Sequence, residues 1–186
     1  IAQAVFARDL SCRAQVRAAM SRQAAPHELP ALDRDAFAEK IRRALYASKL
    51  CSYAQGFELL HQASQHYHWD LDLGGIALLF RGGCIIRAAF LDRLAQAYRA
   101  CPTLENLLLS SDFASVLTQY QSDWRDVVST AAQCGVAVPA FSASLSYYAG
   151  LCDPAGPLNL LQAQRDCFGA HTFRRIDRDG SFHHNW

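Results

Sequence analysis

Two cationic side chains near the C-terminus, Arg165 and His171, have the types and the spacing that could bind an anion. Pro157 is typical of the first turn of a helix, and Gly169 is typical of the left-handed residue just past a helix end. The sequence therefore predicts a helix over about 157–168, with Arg165 in its final turn and His171 just beyond it. Both side chains could then face one oxyanion. The helix dipole alone also favours cations at that end, so the pattern by itself leaves both interpretations open.

The start of the chain supplies a third cation. Apolar residues recur at helical intervals across residues 2–22, which predicts one amphipathic helix with Arg8 in its second turn. Residues 24–33 contain two prolines and no periodic pattern, so we expect a connection there. From its position alone, Arg8 is as well explained as a solvated helix residue as it is as a ligand.

A long helix is predicted next, from a cap at Asp35 to about His66. Two of its faces carry small or apolar residues: Phe37, Ile41, Leu45, Ser48, Ser52, Gln55 and Leu59 on one, and Ala44, Ala47, Leu50, Cys51, Ala54 and Phe57 on the other. A helix of this kind is typically buried on several sides, so we expect it to be the centre of the domain. Gly56 within it predicts a close crossing by another helix.

The rest of the chain continues the helical pattern. Further helices are predicted at 76–81, at 84–101 after a break at Gly82 and Gly83, at 104–109, at 112–134 up to a stop at Gly135, and at 139–149. We expect Arg81 and Arg87 to serve helix ends or ion pairs, and Ile85, Ile86, Phe90 and Leu91 to form part of a broad apolar surface. No alternating strand pattern or repeat is evident, so the fold class is predicted to be all-α, with an extended tail at about 170–186.

Composition narrows the class of ligand. A net charge of +1 gives no electrostatic footprint for nucleic acid or for an anionic membrane, which favours a small metabolite. The apolar runs are too short to cross a bilayer. Seven irregularly spaced cysteines are typical of reduced core thiols in a cytoplasmic protein, and no metal site is predicted from the Cys and His spacing. The chain opens at Ile1 with no initiator Met, so we expect it to be part of a longer protein.

Several motifs resemble one family, in the family's order. They are Ala-Leu-Tyr-Ala-Ser-Lys at 44–49, Ser-Tyr-Ala-Gln-Gly-Phe at 52–57, Gly-Gly-Ile-Ala-Leu-Leu-Phe-Arg-Gly-Gly-Cys-Ile-Ile-Arg at 74–87, Leu-Leu-Gln-Ala-Gln-Arg-Asp-Cys-Phe-Gly-Ala-His-Thr-Phe at 160–173, and Phe-His-x-x-Trp at 182–186. Together these motifs cover essentially the whole chain. The sequence is similar to the C-terminal helical domain of the decarboxylating 6-phosphogluconate dehydrogenases, and it matches that family least well over residues 11–32.

This resemblance carries expectations about partners and site residues. It implies one helical domain over residues 1–186, a homodimer in which the tail reaches the neighbouring subunit, and 6-phosphogluconate as the substrate. It implies that Arg8, Arg165 and His171 bind that substrate. In the family, NADP, the catalytic lysine and the glutamate belong to a Rossmann domain and segments that precede the matching region. The Gly-x-Gly-x-x-Gly fingerprint is absent here, so no catalytic or cofactor-binding residue is assigned to this chain.

Three functions stay open from the sequence. The first is the C-terminal part of a 6-phosphogluconate dehydrogenase of the pentose phosphate pathway, inactive when isolated. The second is a non-catalytic helical dimerisation or binding protein derived from this family. The third is a related dehydrogenase that acts on another hydroxy acid, against which the three cations argue because they suit a phosphorylated substrate. The preference for NADP over NAD is not encoded in these residues.

Overall fold

The computed structural model describes residues 1–24 and 30–186, which form two compact units, Ile1–Leu145 and Ser146–Trp186. The connection predicted over 24–33 includes residues 25–29, which lie outside the described residues. The described residues contain helices α1 (Ala2–Cys12), α2 (Ala14–Ser21), α3 (Arg34–Tyr67), α4 (Leu73–Leu79), α5 (Leu91–Ala100), α6 (Ser111–Gln133), α7 (Pro139–Cys152) and α8 (Leu158–Gly169), with a 3₁₀ helix at Leu107–Leu109. Their extended backbone pairs only at an isolated bridge between Phe173 and Phe182, so the all-α prediction is confirmed.

The first predicted helix is two helices. The backbone breaks at Arg13, where φ is −89° and ψ is 50°, and Arg13 donates its N–H to the carbonyl of Leu10. No residue of α1 or α2 is buried, and the large apolar side chains along them are mostly exposed. The helical period in this stretch therefore identified an apolar face that the described residues leave uncovered.

Helix α3 is the long central helix of the first unit. Its cap is Asp33 rather than Asp35, because the Asp33 carboxylate accepts hydrogen bonds from the N–H groups of Asp35 and Ala36. The second predicted face is core, together with Ser48 of the first face: the buried residues are Ala44, Ala47, Ser48, Leu50, Cys51, Ala54 and Phe57. Leu45 and Leu59 of the first face are 48% and 66% exposed. The predicted close crossing at Gly56 is also wrong, since a Cβ there would meet no described atom within 4 Å.

Gly82 and Gly83 are followed by a longer non-helical stretch than the sequence predicted. Gly83 has φ of +69°, and α5 begins only at Leu91 rather than at Cys84. Phe90 and Leu91 are 3% and 0% exposed, so they belong to the core and not to an apolar surface. Of the predicted surface residues, only Ile85 and Ile86 are exposed.

The core of the first unit forms where α3 packs on α6, with α5 and the 3₁₀ helix alongside. Phe113 and Trp124 of α6 are fully buried, and the ring of Phe90 lies edge-on to that of Phe113 at 6.2 Å. Ion pairs fix α3 against α6 at the edge of this contact, where Arg43 Nη1 donates to Asp123 Oδ2 at 2.8 Å and Lys40 pairs with Asp126. Apolar burial holds these helices together, and the partly exposed ion pairs add little to it.

The later helix boundaries follow the sequence more closely. The 3₁₀ helix lies within the predicted 104–109 segment, and α6 is followed by Gly135 with φ of +66°. Helix α7 continues through Gly150 to Cys152, past its predicted end, and a Cβ at Gly150 would lie 3.3 Å from Leu158 Cδ1. This glycine therefore permits a close side-chain contact instead of ending the helix.

Of the seven free cysteines only Cys51 is buried, and Cys12, Cys101, Cys152 and Cys167 are exposed, so the prediction that they are core thiols fails for most of them. None of the described helices is both long enough and apolar enough to cross a membrane.

Candidate functional site

The candidate site lies where α8 ends and the tail begins, within the second unit. Gly169 is the last helical residue, and the left-handed position falls on Ala170, with φ of 51° and ψ of 39°. The predicted helix end at Phe168, with Gly169 as the left-handed residue, is therefore off by one position. The N–H of Ala170 donates to the carbonyl of Asp166 at 2.8 Å, which closes the helix.

Gly169 has a different use from the predicted one. A Cβ at this position would lie 3.0 Å from Nε2 and 3.1 Å from Cδ2 of His171, closer than an ordinary contact. The missing side chain therefore leaves space for the imidazole ring to lie against the end of α8. His171 is exposed, and its ring has no hydrogen-bond partner among the residues that the structure describes.

His171 borders a cleft of about 650 Å³. The cleft is lined by Asn159, Gln162 and Ala163 of α8 and by His171, Thr172, Phe173, Arg174, Ile176, Ser181, His184 and Trp186 of the tail. Arg174 is the cation that sequence reasoning missed here. Its position directly after the 160–173 motif was the available signal, because residues flanking a binding motif share its surface.

Arg165 is also exposed, but it is not among the residues that line this cleft. It precedes the last turn of α8 and donates through Nη1 to Oε1 of Gln162 at 3.3 Å. Gln162 itself lines the cleft, so Arg165 lies next to a cleft residue with its guanidinium otherwise open to solvent. Rotation of this long side chain would let its planar fork donate two hydrogen bonds to one phosphate.

The third predicted ligand, Arg8, belongs to the first unit. It lies in the second turn of α1, as the sequence predicted, and its side chain is exposed. Its carbonyl accepts a hydrogen bond from the Ser11 hydroxyl at 2.6 Å. Arg165 and His171 therefore share the end of one helix, whereas Arg8 is described within its own unit only.

A buried carboxylate, Asp166, organises the second unit and was not identified from the sequence. It is 0% exposed, and its two oxygens accept four hydrogen bonds. The donors are the Thr172 N–H at 2.9 Å, His183 Nδ1 at 2.9 Å, the His184 N–H at 3.0 Å and Trp186 Nε1 at 3.1 Å. Burial raises the pKa of Asp166, but these hydrogen bonds outweigh burial and hold the pKa well below its usual range.

One signal could have identified Asp166. It lies in the last turn of α8, where the helix dipole disfavours a negative charge, so a carboxylate there needs compensating donors. Those donors come from residues 6 to 20 positions further along an irregular tail. No periodic pattern connects them to the helix, and for that reason sequence reasoning could not identify which residues they are.

The charges around the cleft suit an anion of modest size. Arg174 lines it, and Arg175 and Arg178 follow in the tail, where Arg175 is held by a paired hydrogen bond to Asp177 at 2.6 and 2.7 Å. The guanidinium of Arg178 stacks on the Phe182 ring, 4.7 Å from its centroid. Arg174 can therefore contact an oxyanion in the cleft, whereas Arg175 and Arg178 are already engaged by Asp177 and by the Phe182 ring.

The described residues do not fit a dinucleotide or a metal. A Rossmann site needs a strand, a glycine-rich turn and a helix N-terminus at the pyrophosphate, and the described residues provide only helices and one isolated bridge. Likewise, they contain no group of three or more His, Cys, Asp or Glu side chains that could hold a metal ion. NADP is accordingly assigned to no residue of this chain.

Comparison with known proteins agrees with this architecture. A family model described as "6-phosphogluconate dehydrogenase, C-terminal domain" matches residues 1–186. The decarboxylating 6-phosphogluconate dehydrogenase of Escherichia coli K12 is 49% identical over 187 residues, covering 100% of this chain and 40% of that protein. The NADP(+)-dependent decarboxylating enzyme of Bacillus subtilis 168 is 47% identical over 188 residues, again with 100% and 40% coverage.

A solved structure is similar over nearly the same region. The 6-phosphogluconate dehydrogenase of Plasmodium falciparum, described in its apo form and in complex with NADP+ and with 6-phosphogluconate, superimposes with a TM-score of 0.87 at 42% identity. The match covers 98% of this chain and 40% of that one. The chain thus spans about 40% of the length of these relatives. With a full-length family match, close sequence relatives and a shared helical fold, the chain belongs to the 6-phosphogluconate dehydrogenase family, as its C-terminal domain.

Proposed function

We propose that this chain is the substrate-binding and dimerisation part of a decarboxylating 6-phosphogluconate dehydrogenase. In this reaction 6-phosphogluconate is oxidised at C3 as NADP+ takes up hydride, and loss of CO2 then gives ribulose 5-phosphate and NADPH. The chain's own contribution is to bind and orient the phosphorylated substrate. The observation that carries this proposal is the pair of exposed cations, Arg165 and His171, at one helix end beside a cleft of about 650 Å³.

The chemistry of these groups supports a phosphate ligand. A guanidinium can donate two parallel hydrogen bonds to one phosphate, and an imidazole can donate to a phosphate or hydroxyl oxygen. Arg165 holds only one long hydrogen bond, to Gln162, so little must be broken when it turns to a ligand. Arg8 is proposed to contact the same substrate, which rests on the family resemblance of the first helix.

The proposal extends to the assembly. We propose a homodimer in which residues 170–186 reach the substrate site of the neighbouring subunit, with residues 1–186 acting as one helical domain. The high exposure of the tail supports this, because Ile176 and Trp186 are 108% and 64% exposed in the single chain. Apolar side chains this open are typical of surfaces that another chain covers. The cytoplasmic location expected from the sequence stays a prediction.

The function is tested with the complete enzyme, meaning this chain together with the N-terminal part that its relatives have. NADPH formation is followed by absorbance with 6-phosphogluconate, with unphosphorylated gluconate and with other hydroxy acids. We expect turnover with 6-phosphogluconate and a KM at least 100-fold higher for gluconate, because the phosphate contacts are lost. Turnover with another hydroxy acid at equal efficiency would favour the third function, and dimer formation without any turnover would favour the non-catalytic binding protein.

The shared site is tested by subunit exchange. A subunit disabled in the catalytic lysine of its N-terminal part is mixed with a subunit carrying His171→Ala, after exchange has been verified by mass. If the tail completes the neighbouring site, the mixed dimer regains one intact site and part of the activity. Verified exchange with no regain of activity contradicts the shared-site proposal.

A further inference from the structure

We propose that Asp166 is a positioning residue for substrate binding: it anchors the tail on α8 and thereby fixes His171 in the orientation that receives the phosphate. This inference rests on the proposed function and deepens it, because it names the group that prepares the site without touching the ligand.

The backbone on either side of His171 is strained. Ala170 and Thr172 have φ of 51° and 61°, in the left-handed region that residues with a Cβ rarely adopt. For Thr172 the branched side chain makes this conformation a genuine outlier. Strained positions of this kind persist only where surrounding contacts over-determine them, and they concentrate at functional sites.

Hydrogen bonds to Thr172 hold its strained backbone in place. Asp166 Oδ1 accepts the N–H of Thr172 at 2.9 Å, and Gln162 Nε2 donates to the Thr172 carbonyl. The Ser181 hydroxyl donates to Thr172 Oγ1 at 2.7 Å. Thr172 is therefore held through its N–H, its carbonyl and its side chain, and its N–H is held by the buried carboxylate.

The Asp166 carboxylate also binds the end of the tail. Through His183, His184 and Trp186 it also holds the last four residues of the chain, which return to α8 after the bridge between Phe173 and Phe182. Both ends of the tail are thus bound to the same group, the Asp166 carboxylate. Loss of the charge leaves some of these four donors without an acceptor, and Thr172 loses the hydrogen bond that holds its N–H.

The hydrogen bonds around Asp166 require an ionised carboxylate. All four partners are donors, so each oxygen must accept twice. An amide in the same place accepts through one oxygen only and presents an NH₂ group to two of the donors. Asp166→Asn is therefore nearly isosteric but cannot satisfy the arrangement.

The experiment compares Asp166→Asn with Asp177→Asn in the complete enzyme. Asp177 undergoes the same chemical change in the same tail, but it is exposed and pairs with Arg175. Steady-state kinetics give kcat and the two KM values. Hydrogen exchange followed by mass spectrometry reports the protection of the segment spanning residues 170–174, and circular dichroism reports helix content.

We expect Asp166→Asn to raise the KM for 6-phosphogluconate by about 10- to 100-fold, with kcat within about 3-fold and the KM for NADP unchanged. The 170–174 segment should exchange at least about 10-fold faster, which corresponds to a tenfold change in the local opening equilibrium. Asp177→Asn should behave as the unchanged enzyme. Trp186→Phe removes one donor while keeping the carboxylate and the Thr172 contact, so its KM should rise less than about 5-fold.

Three results would overturn the proposal. One is an unchanged 170–174 segment in Asp166→Asn, and another is faster exchange with an unchanged substrate KM. The last is an equal loss in kcat, NADP binding and helix content, which indicates a general structural role. If the unchanged enzyme does not turn over 6-phosphogluconate, the proposed function fails, and the hydrogen-exchange comparison still decides whether Asp166 holds the segment around His171.

Discussion

Arg165 and His171 are held to different degrees before any ligand arrives. Arg165 has one 3.3 Å hydrogen bond on an exposed helix face, so its guanidinium must be ordered when it binds. His171 lies between two residues with fixed left-handed backbone and against Gly169, so much of its ordering has already occurred on folding. Because immobilising a flexible side chain costs about 0.5–1.5 kcal/mol, the histidine is the better prepared of the two proposed ligands.

The first prediction concerns these two cations. In the complete enzyme, Arg165→Ala and His171→Ala should each raise the KM for 6-phosphogluconate by about one to two decades, because a hydrogen bond to a charged group is worth about 1.5–3 kcal/mol. The KM for NADP should not change. Arg175→Ala is the matched control, since its guanidinium pairs with Asp177 at 2.6 Å. A KM for 6-phosphogluconate unchanged in both variants would remove these residues from the site.

The second prediction follows from the lowered pKa of Asp166. Since the folded-state pKa lies below the unfolded value of about 3.9, the carboxylate contributes stability at all pH values above about 4, and this contribution is lost as the pH falls further.

The measurement is the indole N–H signal of Trp186, which donates to Asp166. The chain has three tryptophans, and Trp186→Phe assigns the signal. It should keep its position from pH 7 to about 4 and move toward the free indole value only below that. In Asp166→Asn it should sit near the free value at every pH. A midpoint above pH 5 would contradict the lowered pKa.

At the scale of elements, one face of α3 carries the core of the first unit. That face is buried through small residues such as Ala47 and Ala54 and through Phe57, whose ring stacks on that of Tyr98 in α5 at 5.5 Å. Tyr98 is nearly buried, and burial together with the Glu58 carboxylate raises its pKa to about 12. Packing rather than charge is therefore what defines the position of these helices.

The third prediction tests this packing on α6. Phe113→Ala should lower the free energy of unfolding by about 3–5 kcal/mol, because a fully buried ring leaves a cavity. Leu109→Ala, in the 3₁₀ helix just before α6, should change it by less than about 0.5 kcal/mol, since Leu109 is 69% exposed. Urea unfolding followed by circular dichroism gives both values. Equal costs at the two positions would contradict the assignment of the core.

The sequence predicted elements well where a periodic pattern met a clear stop. Gly135 marks the end of α6 because the chain needs a positive φ there. The same reasoning failed at Gly169, where the positive φ falls on Ala170 and the glycine instead gives space to the His171 ring. A glycine serves either purpose, and only the three-dimensional neighbours decide which.

The site was predictable in part for a similar reason. The type and spacing of Arg165 and His171, together with the family motif, identified the end of α8 as the candidate site. Asp166 was not identified, because its donors lie in an irregular tail where no local rule pairs them with a helix residue. The helical repeat in the sequence also overestimated how much of α3 is buried. Leu45 and Leu59 follow this repeat, but no described residue covers them fully.

At the scale of the whole molecule, the fourth prediction concerns the exposed apolar face of α3 that includes Leu45 and Leu59. Together with Ile85 and Ile86 it leaves large apolar side chains in solvent, which is typical of a subunit interface. Leu45→Glu should weaken the homodimer at least 10-fold in Kd, measured by analytical ultracentrifugation across micromolar concentrations. Leu109→Glu, which is exposed elsewhere, should leave association unchanged. A monomer in the unchanged chain would contradict the dimer itself.

The last prediction concerns the 186-residue chain by itself. We expect no dehydrogenase activity and no measurable binding of NADP, because hydride transfer requires a bound nicotinamide and the described residues provide no nucleotide fold. Binding of 6-phosphogluconate should survive at about millimolar levels if the dimer forms, since that affinity needs only about 4 kcal/mol from the cations.

Calorimetric titration of each ligand, with absorbance at the reduced-nicotinamide band, separates these outcomes. His171→Ala in the same chain is the control for the substrate titration. Loss of the imidazole should abolish the weak heat of 6-phosphogluconate binding. Helix content should not change, because the ring is exposed and makes no hydrogen bond to a described residue. Turnover above a mock-purified sample, or a saturable NADP isotherm, would mean that these residues hold cofactor chemistry that their helical architecture does not account for.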